Sequence, residues 1–500
     1  KKKKLILIVI LLLVTLNMNY LGFAEKKITI TSKEYKEGNT SNLVLDKILN
    51  DNELKTEIPH MFNYASNGNY YDMNTRKVLS NPEYITTGLY SNKDEDGTTY
   101  YYRGDVNNNN LQFGAYDEDY YIYYVRSEYG DQFYQTLESC QEAGYSQCEE
   151  VKLASKGDKI YWKIVRINGD GSIRLIYNGP GVNSDKFGSQ DVSFSDEELS
   201  GVIGVVPYNL NQSNPKYTGY TYDNGTDSFI KKEVDTWYNN TLGSNSEYDK
   251  YVILGRYCSD SSDYIFIESK RYGDFASSDR LGQRDSGFTK DNAPTFACPN
   301  TNESYGGSYR LKAGLITADE LVFAGESLGV FGNSYLNPGQ DGTSYWTMTP
   351  YFFSDYLEFG YEIHIWLMRS DMVLSAFNIV ENPSIRPVIN LSTEGMTLVG
   401  DGTSDNPYIF VEAKKNSYKG KVTIEEGSSV DDNSAFTEAV DLSGNITWTS
   451  TDESIAKIED GKILGIKEGI TTIHGVGEDG ITYEMELTVM KNEITICSTY

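Results

Sequence analysis

Apolar residues along this chain alternate with polar ones in short bursts, and turn-forming pairs close most of them. The clearest burst is Ile160 to Ile167, where Ile160, Trp162 and Ile164 fall on one face. Asn168-Gly-Asp-Gly171 interrupts it, and Ser172 to Tyr177 resumes it with Ile173, Leu175 and Tyr177 on one face. That pattern predicts a β-hairpin. Six Asp-Gly and four Asn-Gly steps predict many further tight turns, because both pairs accept positive φ. Helical spacing is rarer. Leu45, Ile48 and Leu49 share a face behind a candidate cap at Ser41, and residues 228–242 place Val234, Trp237 and Tyr238 on one side. Thr317-Ala-Asp-Glu320 is a capping box that opens a short helix, expected to reach Phe323 and stop near Gly325. Few helices and many short strands predict a β-rich α+β body. After Val411 the texture changes: tyrosine thins, and Ile, Thr, Gly and Glu take over. Five short strands between 446 and 489, with turns such as Asp460-Gly461, predict an all-β sandwich.

The first 24 residues stand apart. Lys1–Lys4 are followed by the apolar run Leu5 to Leu16, and Gly22 and Ala24 put small residues before a cut after Ala24. This predicts a secretory signal peptide and an extracellular or cell-surface location. A membrane helix is the rival reading, although the run is shorter than the ~20 residues a bilayer needs. Membrane attachment is therefore expected only through this segment, if it stays uncleaved. The remaining organisation reads as an N-terminal helical or linker region (25–84), a large domain (85–412) with an insertion at 117–159, a sandwich module (413–490), and a linker or the start of a further module (491–500).

Composition narrows the chemistry. The 500 residues carry a net charge of −28, which repels phosphate backbones and argues against nucleic-acid partners. The three histidines, His60, His364 and His474, leave little material for Ser-His-Asp or multi-His metal sites. Five cysteines without a CxxC give no support to zinc or thioredoxin-like chemistry. In an exported chain, Cys140 is expected to pair with Cys148 and Cys258 with Cys298, leaving Cys497 over. Five reduced thiols are the alternative. The acidic loops Asp94-Glu-Asp96, Asp117-Glu-Asp119 and Asp401 to Asp405 could hold calcium or be solvated turns; no cofactor and no metal ligand set is expected. The 41 tyrosines form clusters at 100–102, 120–124 and around 351–356. Such clusters fit a binding surface or the inner face of a β core equally well.

Two resemblances add to this. Residues 446–489, through Trp448, Ser450, Asp452, Ala456, Gly461, Gly465, Gly469 and Ile473, resemble a bacterial immunoglobulin-like domain of group 2. That implies a spacer or adhesion module over about 415–490. Through "TGLYSNKDEDGTTYYYRGDV" (87–106), "YWKIVRINGDGSIRLIYNG" (161–179) and "VDTWYNNTL" (234–242), residues 85–412 resemble a group of exported, mostly uncharacterised Firmicute-type surface proteins. The segments "GLITADELVFAG", "SYWTMTP" and "IRPVINL" are similar to the C-type-lectin and formylglycine-generating-enzyme folds. The enzyme's cysteine motifs are not matched, so its activity is not carried over. Within that likeness, 351–384 is the display stretch. Tyr351, Phe352, Phe353 and Tyr356 are its candidate ligand-binding residues, and Trp366 is read as core. The resemblance implies a non-catalytic Gram-positive cell-surface adhesion protein that binds a host or environmental protein or glycan. A secreted enzyme on the formylglycine-type fold and a structural surface or pilus component are the alternatives.

Overall fold

A computed structural model describes residues 42–57, 59, 62–66, 69–72, 77–80, 87–127, 130–180, 201–222, 225–258, 264–267, 272–281, 294–298, 308–327, 334–337, 344–356, 360–371, 373–413, 417–432, 446–477 and 482–491. The signal-peptide segment, His60 and Cys497 lie outside them. The chain divides into two compact units, one of residues 42–412 and one beginning at 413. Both are β-rich, and each has its own apolar cluster.

The larger unit is organised by a nine-stranded and a ten-stranded sheet. The hairpin of Lys159–Ile167 and Ile173–Tyr177 lies inside the nine-stranded sheet, where Lys159–Ile167 also pairs with Asn110–Ala115 and Thr98–Arg103. Such an inner strand is buried on both faces, and all five residues of Ile173–Tyr177 are buried. The stretch 117–159 is woven into the other sheet. Its strands Tyr120–Ser127, Gly130–Tyr134 and Glu149–Ala154 pair with one another, and Phe133 pairs with Val205.

Helix ends follow local capping chemistry. The helix Leu43–Asp51 is capped by Asn42, one residue after the expected Ser41, because the Asn42 carboxamide oxygen accepts from the Leu45 N–H at 3.1 Å. Ser228 caps Phe229–Asn240, which buries Val234 and Trp237. Thr317 and Glu320 form the reciprocal capping box of Ala318–Ala324, and Gly325 ends that helix at φ 120°. The region expected to be helical or linker (25–84) also contains the antiparallel strands Phe62–Ser66, Asn69–Asp72 and Lys77–Ser80.

Tyrosine is largely a core residue here. Tyr101, Tyr102, Tyr116, Tyr120, Tyr124 and Tyr134 are buried, and strand alternation leaves Tyr121 exposed between Tyr120 and Ile122. Some of their hydroxyls find partners inside: Tyr116 and Tyr177 share a hydrogen bond of 2.9 Å, and Tyr120 donates to Gln135 at 2.7 Å. Trp162, Tyr177 and Trp237 meet edge to face, with centroids 5.3–6.2 Å apart. Two disulfides are present, Cys140–Cys148 and Cys258–Cys298, as suits an oxidising compartment. No helix among the described residues is long and apolar enough to cross a membrane.

The second unit has a four-stranded and a three-stranded sheet. One apolar cluster draws Val422, Ile473, Met485 and Leu487 from the first and Val430, Ala456 and Ile463 from the second. Trp448 packs on Tyr483 at 5.6 Å. Asp460 and Gly461, at φ 50° and 72°, make the two-residue turn between Ala456–Glu459 and Lys462–Gly465. The first strand, Ser417–Glu425, runs parallel to the last, Thr482–Met490.

Candidate functional site

The candidate ligand face lies on three adjacent strands, Tyr345–Tyr356, Gly360–Met368 and Leu374–Asn378. Register places Phe352 opposite His364, and His364 opposite Asn378, so one row crosses all three strands. The Phe352 ring and the imidazole are 6.0 Å apart, nearly edge to face. Tyr351 leans on Trp366 at 4.4 Å. Register slips on either side of Pro350, which has no N–H to give the ladder, so strict alternation is broken and both Tyr351 and Phe352 are half-buried.

The four expected binding residues therefore separate. Tyr351 and Phe352 reach the surface in part. Phe353 does not: it is 1% exposed and packs on Phe275 at 6.0 Å, because alternation turns it to the inner face with Ile363. Tyr356 ends its strand, but its side chain lies outside the described residues. Trp366 is fully buried. His364 and Asn378 were not visible as site residues in the sequence. They stand 12 and 26 positions from Phe352, and only cross-strand pairing joins them; their even spacing along two alternating strands is the one available signal. Burial lowers the His364 pKa, against a weaker pull from Glu362 at 4.0 Å, so the ring is neutral at pH 7. The row thus offers a flat apolar ring, a neutral imidazole, a carboxamide and an exposed carboxylate. These groups recognise by contact and directed hydrogen bonds.

A second cluster lies within the unit. Glu320 accepts from Arg174 Nη2 at 3.2 Å and from Arg166 Nε at 3.1 Å, and Arg166 Nη1 reaches Asp94 at 2.9 Å. Arg280 makes a bidentate pair with Asp319, both contacts at 2.7 Å. Arg166 lies over the Phe296 ring and Arg174 over Tyr257. Burial would push the Glu320 carboxyl up, but Arg174, Arg166 and the Thr317 N–H together hold it below the ordinary value. The cavity beside these groups measures about 10 Å³, room for one water. The charges are satisfied by one another, so the cluster reads as a structural rivet between the hairpin, the helix Ala318–Ala324 and the loops near the Cys258–Cys298 disulfide.

The acidic loops are likewise occupied with their own turns. Asp94 accepts from the backbone N–H groups of Asp96, Gly97 and Gly169 as well as from Arg166. Asp401 accepts from the Thr403 N–H and hydroxyl, which lowers its pKa. A cation at 94–96 would have to compete with Arg166.

No family model matches this chain, and no curated protein matches it.

Proposed function

We propose that this is an exported, non-catalytic cell-surface binding protein. In this reading residues 85–412 form a C-type-lectin-like ligand domain, and residues 413–490 an immunoglobulin-like spacer. The observation that carries it is the half-buried row Phe352–His364–Asn378, an aromatic and polar surface backed by the fully buried Trp366. Rigid aromatic side chains supply contact area at low entropic cost, and the flanking amide and imidazole supply direction. The two disulfides support an oxidising, extracellular setting. A two-sheet module whose single core includes Trp448 supports the spacer role. The partner is a host or environmental protein or glycan.

The test uses the exported chain on glycan and extracellular-matrix arrays, beside a Phe352→Ala/His364→Ala double variant. A ligand that the parent binds and the variant loses supports the reading. Binding unchanged in the variant, or none by the parent, refutes it.

A further inference from the structure

Lys163 is a buried lysine of the nine-stranded sheet. It lies in the inner strand Lys159–Ile167, 8% exposed, and its Nζ donates to Asn110 Oδ1 at 2.7 Å. Asn110, 2% exposed, sits directly opposite in the paired strand Asn110–Ala115. Its carboxamide is held from behind: Nδ2 donates to the carbonyls of Asn107 and Gly402, each at 2.9 Å. The carbonyl carbon is bonded to Oδ1 at about 1.23 Å, so it lies within about 4 Å of Nζ. Amine and amide are thus held near attack distance in a dry interior, where a desolvated lysine is nucleophilic and orientation replaces a high reactant concentration.

From this juxtaposition we infer that Lys163 and Asn110 are the two halves of an intramolecular isopeptide cross-link. The balance is simple. The ammonium first loses one proton to water. The neutral Nζ adds to Asn110 Cγ, the Cγ–Nδ2 bond breaks, and Nδ2 departs as ammonia with a proton taken from Nζ. No oxidant, metal or second substrate is needed. The carbonyls of Asn107 and Gly402 already accept from the departing nitrogen. The reaction runs once per molecule, so it need not be fast. Its product would join two strands 53 residues apart in sequence at the centre of the nine-stranded sheet.

The experiment is intact mass spectrometry of the purified, oxidised chain, followed by tandem sequencing of its proteolytic peptides. The expected mass falls short of the sequence mass, after the disulfide hydrogens are counted, by one ammonia. A branched peptide should carry residues 110 and 163 together. Cyclisation at an Asn-Gly step also releases ammonia, so Lys163→Met is measured in parallel: a deficit that survives it comes from such a step and overturns the assignment. A parent chain at full mass, with residues 110 and 163 on separate linear peptides, overturns it too.

Discussion

Replacing Glu320 by alanine tests the buried ion cluster most directly. The change leaves Arg174 and Arg166, whose side chains are 1% and 9% exposed, facing a void instead of a carboxylate. Removing one partner of a buried pair costs about 3–5 kcal/mol, because the remaining charge stays desolvated. The alanine also removes the acceptor of the Thr317 N–H in the capping box, worth about 1 kcal/mol. The expected loss is therefore about 4–6 kcal/mol. With a urea slope of about 3 kcal/mol per M, the unfolding midpoint of this unit falls by roughly 1.5 M. Tryptophan fluorescence follows it, since Trp162, Trp237, Trp346 and Trp366 all lie in residues 42–412, and a Trp448→Phe background silences the other unit. Glu320→Gln keeps the shape and the Thr317 acceptor and should lose about half as much. The sign with pH is fixed by the lowered carboxyl. The ion-pair part of its contribution is full above the unfolded value near pH 4.5 and is lost as pH falls through the folded value, so the gap between parent and variant narrows in acid. An alanine variant within about 0.3 M of the parent at pH 7 would refute the reasoning.

Three further outcomes are expected. Burial raises the Glu233 pKa to about 7, against the Gln135 N–H at 2.7 Å, so its stabilising share is complete below about pH 4.5 and lost as pH rises through 7. Glu233→Gln should therefore gain up to about 3 kcal/mol over the parent at pH 8 in urea titrations, and nothing at pH 4. Gly475→Ala would put a Cβ 2.5 Å from Trp448 Cζ3 and should cost the second unit about 1–3 kcal/mol, read from Trp448 emission, while residues 42–412 keep their midpoint. Cys258→Ser/Cys298→Ser opens a link spanning 40 residues and should cost about 4 kcal/mol, seen as a lowered midpoint that reductant shifts further only through the shorter Cys140–Cys148 link.

Local structure was legible in the sequence wherever a few neighbouring residues decide it. The 160–177 hairpin, the Thr317–Glu320 capping box and the Asp460-Gly461 turn each rest on side chains within a few positions of one another, and each stands in the structure. The facing of tyrosines was not legible, because a phenol suits both a core and a surface and only the sheet's second layer decides. Phe353 shows the limit most clearly: its neighbours Tyr351 and Phe352 look equivalent in sequence, yet register turns Phe353 alone inward. The partners of Glu320 lie 146 and 154 positions away, and Asn378 meets His364 only because the chain reverses between them. No local pattern encodes such meetings.

The parallel pairing of Ser417–Glu425 with Thr482–Met490 has a mechanical consequence. Parallel terminal strands send the chain in at one end of the module and out at the other. Tension along the chain then slides the two strands past each other, and does not peel them apart. Nine paired positions resist together, so rupture requires many hydrogen bonds to fail at once. An antiparallel terminal pair of the same length would open one rung at a time. The module is thus built to stay folded while the chain is pulled from both ends.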